Sequence, residues 1–357
     1  MDSNEVLRLL LDVSRSGQIW VSPEQRDAMA HFETCRTAAR GCRILHCPDC
    51  KTTMVLYSPC NKRGCPKCAP KNQMAWMSKA RARILPTGHH HLVFSIPSNY
   101  TEQWMHDRAK MISRLFCGVD AVLKELESSS GLLLGRMLVF QSHARGMSFK
   151  PHIHCLLADG GLNENKQWKP LGPIELEKMT QSLEAWFAKQ DPTEAKNEGW
   201  SVYQSFHAQS GESVVEYLGR TMAGLVLRID EHGGINKEGQ LITFEDRHEG
   251  VSRKTTLKET TFVQRYLGHI PPRHCVTVRY YGLYSNRHRA ELAIARDYLD
   301  LFNDREHQQA EVYVEACPCC HKPMKQVFTS DLGQGVNYQR FGFGNGPPIH
   351  GEYRRVS

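Results

Sequence analysis

The residues whose types and spacing could do chemistry begin at Lys150-Pro151-His152-Ile153-His154-Cys155-Leu156-Leu157. A proline at the entry, then an apolar run of strand length, predicts a β-strand. Side chains alternate faces along a strand, so His152 and His154 point one way and Ile153 points into the core. Two imidazoles one pleat apart can converge on one divalent ion. The same pair could also lie on a half-exposed strand with no ligand, so the rest of the chain has to decide.

The elements that must position this pair are legible on either side of it. Residues 132–143 read as a strand and residues 144–146 as a turn, so the histidine strand has an antiparallel neighbour. On that neighbour Gln141 and His143 share one face, and either could supply a third metal ligand. Upstream, residues 1–40 look helical, 71–85 form a helix, 89–96 a strand and 101–127 a long helix stopped by Ser128-Ser129-Ser130-Gly131. Downstream, 174–189 is an amphipathic helix, 191–199 a polar linker, 200–207 a strand and 211–221 a short helix carrying Tyr217. Strands at 225–229 and 241–244 flank Gly233-Gly234, followed by a helix over 258–269, a strand over 274–284 and a helix over 288–302. The Gly-rich stretch 333–351 reads as a loose tail. Strands and helices in this order predict an α+β fold with an antiparallel sheet.

The chain has 357 residues, 45 basic against 38 acidic, for a net charge of +7. The distribution says more than the total. Between Arg36 and Arg83 eleven basic residues face one acid, Asp49, and between Arg247 and Arg289 nine face Glu249 and Glu259. Two such blocks suit a polyanion held along two surfaces. No run of apolar residues is long enough to span a membrane, and residues 1–11 lack the cationic start of a secretory signal, which predicts a cytoplasmic protein.

Thirteen cysteines leave a choice between disulfides and metal, and C-x-x-C pairs in a basic segment favour metal. Cys47-Pro-Asp-Cys50 and Cys65-Pro-Lys-Cys68 have the spacing of zinc knuckles. Cys35, Cys42, Cys47, Cys50, Cys60, Cys65 and Cys68 with His46 would complete two tetrahedral Zn²⁺ sites, and one site with spare thiols is the simpler version. So short and polar a segment needs the ions to fold. Cys317 and Cys320 form a further C-x-x-C that either completes a zinc site with a distant residue or stays free. Cys117, Cys155 and Cys275 read as core residues.

Taken together, the His-x-His strand, the later helix with its tyrosine, the zinc module and the basic flanks resemble a histidine–hydrophobe–histidine (HUH) single-strand endonuclease. More narrowly the chain resembles rolling-circle transposases of the insertion-sequence-ninety-one type. The matching stretches are Cys35-Arg-Thr-Ala-Ala, Ser58-Pro-Cys60-Asn-Lys-Arg-Gly-Cys65-Pro-Lys-Cys68, Pro151-His-Ile-His154-Cys, Glu216-Tyr217-Leu-Gly-Arg220, Phe262-Val-Gln-Arg-Tyr-Leu-Gly-His-Ile-Pro271 and Arg279-Tyr-Tyr-Gly-Leu283. They follow the family's order over roughly residues 30–320.

The resemblance implies three parts: a zinc-binding, DNA-binding domain over 1–85, an HUH tyrosine endonuclease over 86–285, and a helical C-terminal region over 286–357. It implies Tyr217 as nucleophile, His152, His154 and Gln141 as ligands of Mg²⁺ or Mn²⁺, and Arg63, Lys67, Arg220, Arg265 and Arg279 as DNA contacts. The expected partner is single-stranded DNA at transposon ends and target, in a bacterial, nucleoid-associated setting. Two-tyrosine relatives carry a second tyrosine where Thr221 stands, so this chain is similar to the single-tyrosine branch, and a homodimer is one way to supply a second hydroxyl. Many relatives have histidine where Cys42, Gly64 and Gln141 stand; Cys42 keeps a zinc ligand and Gln141 an oxygen donor, whereas Gly64 keeps neither. By residue type alone Tyr266, in a similar Tyr-Leu-Gly, competes with Tyr217.

Three other readings compete. A plasmid replication initiator or relaxase uses the same strand and tyrosine, but the zinc module and motif order favour a transposase. A non-enzymatic zinc-dependent DNA-binding protein would leave His152 and His154 inert. A metal-dependent hydrolase barrel needs repeated strand–helix units and later His and Asp ligands that the sequence does not show.

Overall fold

Strand β5 (Phe149–Leu162) is the middle of the six-stranded antiparallel sheet that organises the chain. In the computed structural model the sheet runs β11 (Val278–Gly282), β4 (Leu133–His143), β5, β3 (His89–Ser95), β7 (Ser201–Ala208), with β6 (Trp168–Pro170) paired to β5. The structure describes residues 1–97, 100–144, 146–190, 199–210, 213, 215–216, 219, 234–248, 251–300, 315–331, 334–341, 343 and 346–355.

Alternation sorts β5 cleanly. Ile153, Cys155 and Leu157 are buried with Leu92, Phe94, Leu138 and Phe140 on one face, beneath α5 (Arg108–Ser130) and α6 (Leu176–Gln190). Helix α5 starts at an Asp107 cap and ends at Gly131 in the left-handed region, as the Ser-Ser-Ser-Gly stop predicts. It is pinned to β4 by Arg136, 3% exposed, whose guanidinium bridges Asp120 at 3.0 Å and Glu127 at 2.8 Å. The other face carries Met137, Val139 and Leu156, covered by α3 (Ala69–Arg81), α8 (Arg289–Asp300) and the helical residues around Val215.

Two smaller sheets complete the protein. Strands β8 (Ile235–Glu238), β9 (Leu241–His248) and β10 (Val251–Lys258) form an antiparallel sheet. It shares a core with α1 (Ser3–Arg15), α2 (Pro23–Glu33), α7 (Glu259–Gly268) and four cysteines. The second sheet has the order β12–β1–β2–β13, joining Cys42–Cys47 and Thr52–Tyr57 to Lys325–Thr329 and Tyr353–Arg355.

That second sheet corrects the expected boundaries. The N-terminal module does not end at residue 85: its sheet is completed by the C-terminal stretch, and its helices pack on residues 235–270. Just beyond the stretch 333–351, expected to be loose, Tyr353–Arg355 forms β13. The strand expected at 225–229 lies outside the described residues, and the 101–127 helix is broken at Asp107 into α4 (Thr101–His106) and α5.

A buried histidine ties these layers. His89 Nδ1 donates to the Thr87 carbonyl at 2.9 Å, so its Nε2 accepts the Tyr284 hydroxyl at 2.6 Å. Burial lowers its pKa to about 4 from an ordinary value near 6.5. As pH falls from about 6.5 to about 4 the unfolded chain takes up a proton that the folded chain refuses, so stability declines through that window. We expect His89→Gln to shrink the loss of unfolding free energy between pH 7 and pH 5 by about 1–2 kcal/mol, read from urea denaturation at both pH values. An unchanged loss would show that His89 is not the group responsible.

Candidate active site and zinc centres

On the α3/α8 face of the sheet His152 and His154 bring their Nε2 atoms 3.1 Å apart. Both are buried. The cross-strand register explains what surrounds them: Gln141 lies opposite His152 on β4, Ser95 opposite His152 and Val93 opposite His154 on β3. Residues directly opposite in an antiparallel pair share a face. Gln141 therefore stands on the face of the pair.

His152 Nδ1 donates to the Lys150 carbonyl at 2.6 Å, which leaves its Nε2 with a lone pair. His154 Nδ1 lies 2.9 Å from Nε2 of His91, and the two rings stack 5.0 Å apart. With the His154 proton on Nδ1, facing His91, the two Nε2 lone pairs converge as they would on a shared cation; with the proton on Nε2, His154 donates to His152 instead. Two bonds of about 2.1 Å at a right angle span about 3.0 Å, so the pair has the bite of two cis ligands of an octahedral ion. Burial lowers the pKa of His152 and of His91 to about 4, keeping both neutral near pH 7, the form that binds metal. His91 is the residue the sequence reading missed. It orients the ring of His154 without joining the Nε2 pair, and its parity with Val93 and Ser95 was the available clue.

His143, the reserve ligand, is turned away. A bulge separates it from Gln141, its Nδ1 lies 2.8 Å from Ser142 Oγ, and its ring stacks 4.1 Å from that of His269. Burial lowers the pKa of His143 to about 2 and that of His269 to about 4.

Tyr217 and Arg220 lie outside the described residues, whereas Val215 and Gly219 are described. Val215 is fully buried in one core with Met137, Val139 and Leu156, and a Cβ on Gly219 would collide with Met77 of α3. The helical residues flanking Tyr217 thus pack on the face that carries the histidines. Tyr266 is sequestered instead: it is 2% exposed, its hydroxyl donates to the Gly64 carbonyl at 2.9 Å, and burial pushes its pKa well above the usual phenol range. Gly64 itself has φ +82°, a conformation that favours glycine.

Eight of the thirteen cysteines fall into two sets of four. Cys35, Cys60, Cys65 and Cys68 are all buried, with every Sγ within 4.8 Å of the others. Cys47 and Cys50 are met by Cys317 and Cys320 within the same limit. Sγ separations of 3.6 Å between Cys60 and Cys68 and 3.7 Å between Cys47 and Cys320 match the roughly 3.8 Å edge of a tetrahedron with Zn–S bonds of about 2.3 Å. Hydrogen bonds from Cys60 first, then Cys65 and Cys68, push the Cys35 thiol far below its ordinary value, as a thiolate ligand requires.

Cys42 and His46 belong to neither set. Cys42 sits in the core between Tyr57 and Tyr338 with its Sγ 3.5 Å from Ser330 Oγ, and His46 Nδ1 meets Thr53 Oγ1 at 3.4 Å across the β1–β2 ladder. Their places are taken by Cys317 and Cys320, which counting donors within the first 85 residues could not reveal.

Of the expected DNA contacts, Arg220 lies outside the described residues and the other four are described. Arg63 donates to Thr277 Oγ1 at 2.7 Å, Arg265 to the Gly146 carbonyl at 3.4 Å, and Arg279 lies 4.1 Å over the Phe116 ring. Burial, with Arg108 nearby, lowers the pKa of Arg63 to about 10, so it stays charged near pH 7. Arg279 and Arg273 line a cleft of about 430 Å³ beside α5. Lys67 is half-buried between Cys65 and Cys68.

Comparisons with known proteins agree with this layout. Residues 13–96 match the family model described as "Transposase zinc-binding domain", and residues 135–175 and 175–291 match the one described as "Putative transposase". The chain is similar to "Putative transposase y4qJ" of Sinorhizobium fredii, at 23% identity over 93% of this chain and 95% of that one. It is also similar to "Transposase for insertion sequence element IS801" of Pseudomonas savastanoi pv. phaseolicola, at 23% identity over 71% of this chain and 68% of that one. No solved structure matches it. Among the described residues no helix is long and apolar enough to cross a membrane.

The second thiol set predicts an outcome for truncation and substitution alike. Cys317→Ser in the full-length chain should lower bound zinc by about one equivalent while the Cys35 set keeps its ion. Zinc measured by mass spectrometry of the native protein checks this, and undiminished zinc in Cys317→Ser would refute the four-cysteine set.

Proposed function

Because the chain belongs to the transposases of the insertion-sequence-ninety-one type, with their N-terminal zinc-binding domain, we propose that it nicks single-stranded DNA at element ends through Tyr217 and rejoins the strands. The observation that carries this reading is the buried Nε2 pair of His152 and His154 at 3.1 Å, on the sheet face against which the residues flanking Tyr217 pack.

His152 and His154, with Gln141 as an oxygen donor, are the residues that would hold Mg²⁺ or Mn²⁺. Bound there, the ion supplies Lewis-acid polarisation of the scissile phosphate. The chain supplies the rest. The Tyr217 oxygen attacks phosphorus, the bond to the 3′ oxygen breaks, and the 3′-OH leaves with a proton while the 5′ side stays on the tyrosine. Phenol ionises near pH 10, so the hydroxyl has to be activated, and Arg220, three residues on, is the cation we assign to that task. Phenoxide is a better leaving group than an alkoxide, so the 3′-OH of another strand can reverse the step without a nucleotide cofactor. A tyrosine conserves the phosphoester; an activated water would hydrolyse it.

Arg63, Lys67, Arg265 and Arg279 are the cations we assign to the strand's phosphates, which makes affinity salt-dependent. With one nucleophilic tyrosine per chain, either that tyrosine serves both cleavages in turn or a second protomer supplies the second hydroxyl. The DNA substrate places this work on the bacterial nucleoid.

Tyr217→Phe should abolish the covalent adduct with a single-stranded oligonucleotide in Mg²⁺ or Mn²⁺, while changing single-strand affinity by less than about threefold. Tyr266→Phe should leave the adduct in place. Adduct mapped by peptide mass spectrometry to any residue other than Tyr217 would overturn the assignment. In the same assay Gln141→Ala should raise the metal concentration needed for half-maximal adduct more than His143→Ala does; equal behaviour of the two variants would remove Gln141 from the ligand set.

A further inference from the structure

His90 on β3, Asp159 on β5 and His207 on β7 meet on the opposite face of the sheet from His152 and His154, with one ligand atom of each within 4.8 Å of the others. A bulge makes the meeting possible. Leu92 pairs with Gln204 and His91 with Phe206, so Ser205 is the extra residue of β7. Were Ser205 paired in a regular ladder instead, Phe206 would lie opposite His90, and His207 would point to the other face. Gly88 keeps room for the carboxylate, since a Cβ there would collide with Asp159 Oδ2.

The proton positions show what the three groups lack. His90 Nδ1 lies 3.0 Å from Gln204 Oε1, an acceptor, so the ring's proton is on Nδ1 and its Nε2 carries a lone pair. That lone pair faces Asp159 Oδ1 at 3.3 Å, and Oδ1 is buried and accepts no hydrogen bond. His207 Nε2 lies 2.7 Å from the other carboxylate oxygen. A lone pair set against a buried carboxylate oxygen is repulsive unless a proton or a metal ion lies between them. The Gln204 contact is also the kind of outer hydrogen bond that orients a metal-bound imidazole.

We propose that His90, Asp159 and His207 form a further divalent-cation site, of the zinc class, that clamps strands β3, β5 and β7 together. Two imidazoles and one carboxylate suit zinc and leave a fourth position for water, and the 38% exposure of the His207 side chain opens that position to solvent. Strand β7 is the edge of the sheet and is held by a single ladder to β3. The ion would reach across β3 to β5 and fix the strand from which the chain runs on to residues 213–219. This site is separate from both cysteine sets, and it stands whether or not Tyr217 is the nucleophile.

The test uses the full-length protein, loaded with zinc and then dialysed, with bound metal counted by plasma mass spectrometry. Asp159→Asn and His207→Ala should each hold about one zinc fewer than the wild type. The same difference should appear when His152 and His154 are both alanine, which separates this site from the candidate catalytic one. Loading with Co²⁺ instead should give a visible band lacking thiolate charge transfer, lost in both variants. Circular dichroism identifies a variant that fails to fold, and the more exposed His207→Ala carries the test if Asp159→Asn does not fold. Equal metal content in wild type and His207→Ala, or a cobalt band unchanged by it, would overturn the proposal and leave a hydrogen-bonded His–Asp pair.

Discussion

The period-two alternation of one strand constrains everything else in this protein. Strand β5 lies between β4 and β3, so neither of its faces is free to change without disturbing two ladders. Ile153, Cys155 and Leu157 commit one face to the α5/α6 core, and this forces His152 and His154 onto the other. A slip of one residue would bury both imidazoles under α5 and turn Ile153 toward α3. Arg136 makes such a slip costly, because its two carboxylate partners on α5 fix β4 in register, and a buried guanidinium left without them is strongly destabilising.

The thiolate clusters answer a different problem, which is how to hold together segments with little apolar surface of their own. The set at Cys47, Cys50, Cys317 and Cys320 has only Leu45, Met54, Leu56 and Met324 as its buried surroundings. It joins positions 273 residues apart in the chain, Cys47 to Cys320, beside the ladder between β1 and β12. Closing so long a loop is entropically costly in an unfolded chain, so a bound ion contributes directly to folding. The other set sits within the core of α1, α2 and α7, where Gly64 and Tyr266 bring the two basic blocks into contact.

Local periodicity made much of this legible from the residues. The histidine strand, its hairpin partner, α5 with its Gly131 stop, and α6 all announce themselves within a few residues, and the structure forms them there. What could not be read were the long-range pairings. Strand β12 is five residues, Lys325–Thr329, with mostly exposed side chains, and only its partner β1 gives it meaning. The zinc ligands failed in the same way. Spacing identified the knuckles, but two tetrahedral sites need eight donors, which drew in Cys42 and His46, and the Cys42 contact with Ser330 comes from the far end of the chain. Charged β10 lacked the apolar alternation that marks a strand, since its pairing with β9 exposes much of it.

Three consecutive histidines show how far strand geometry can separate roles that sequence runs together. His89, His90 and His91 read as one polar cluster, yet adjacent side chains on a strand cannot share a surface. His89 and His91 fall on the α3/α8 face, where one closes a hydrogen bond to Tyr284 and the other orients His154. His90 falls on the opposite face, at Asp159 and His207. The bulge at Ser205 serves both sides at once: it turns His207 toward His90 and brings the Phe206 ring within 4.8 Å of His91. Packing by Phe206 holds the His91 ring in the plane that stacks on His154. The contacts of His91 and of His90 thus depend on one irregularity: Ser205 paired in a regular ladder would shift Phe206 to His90 and turn His207 to the other face.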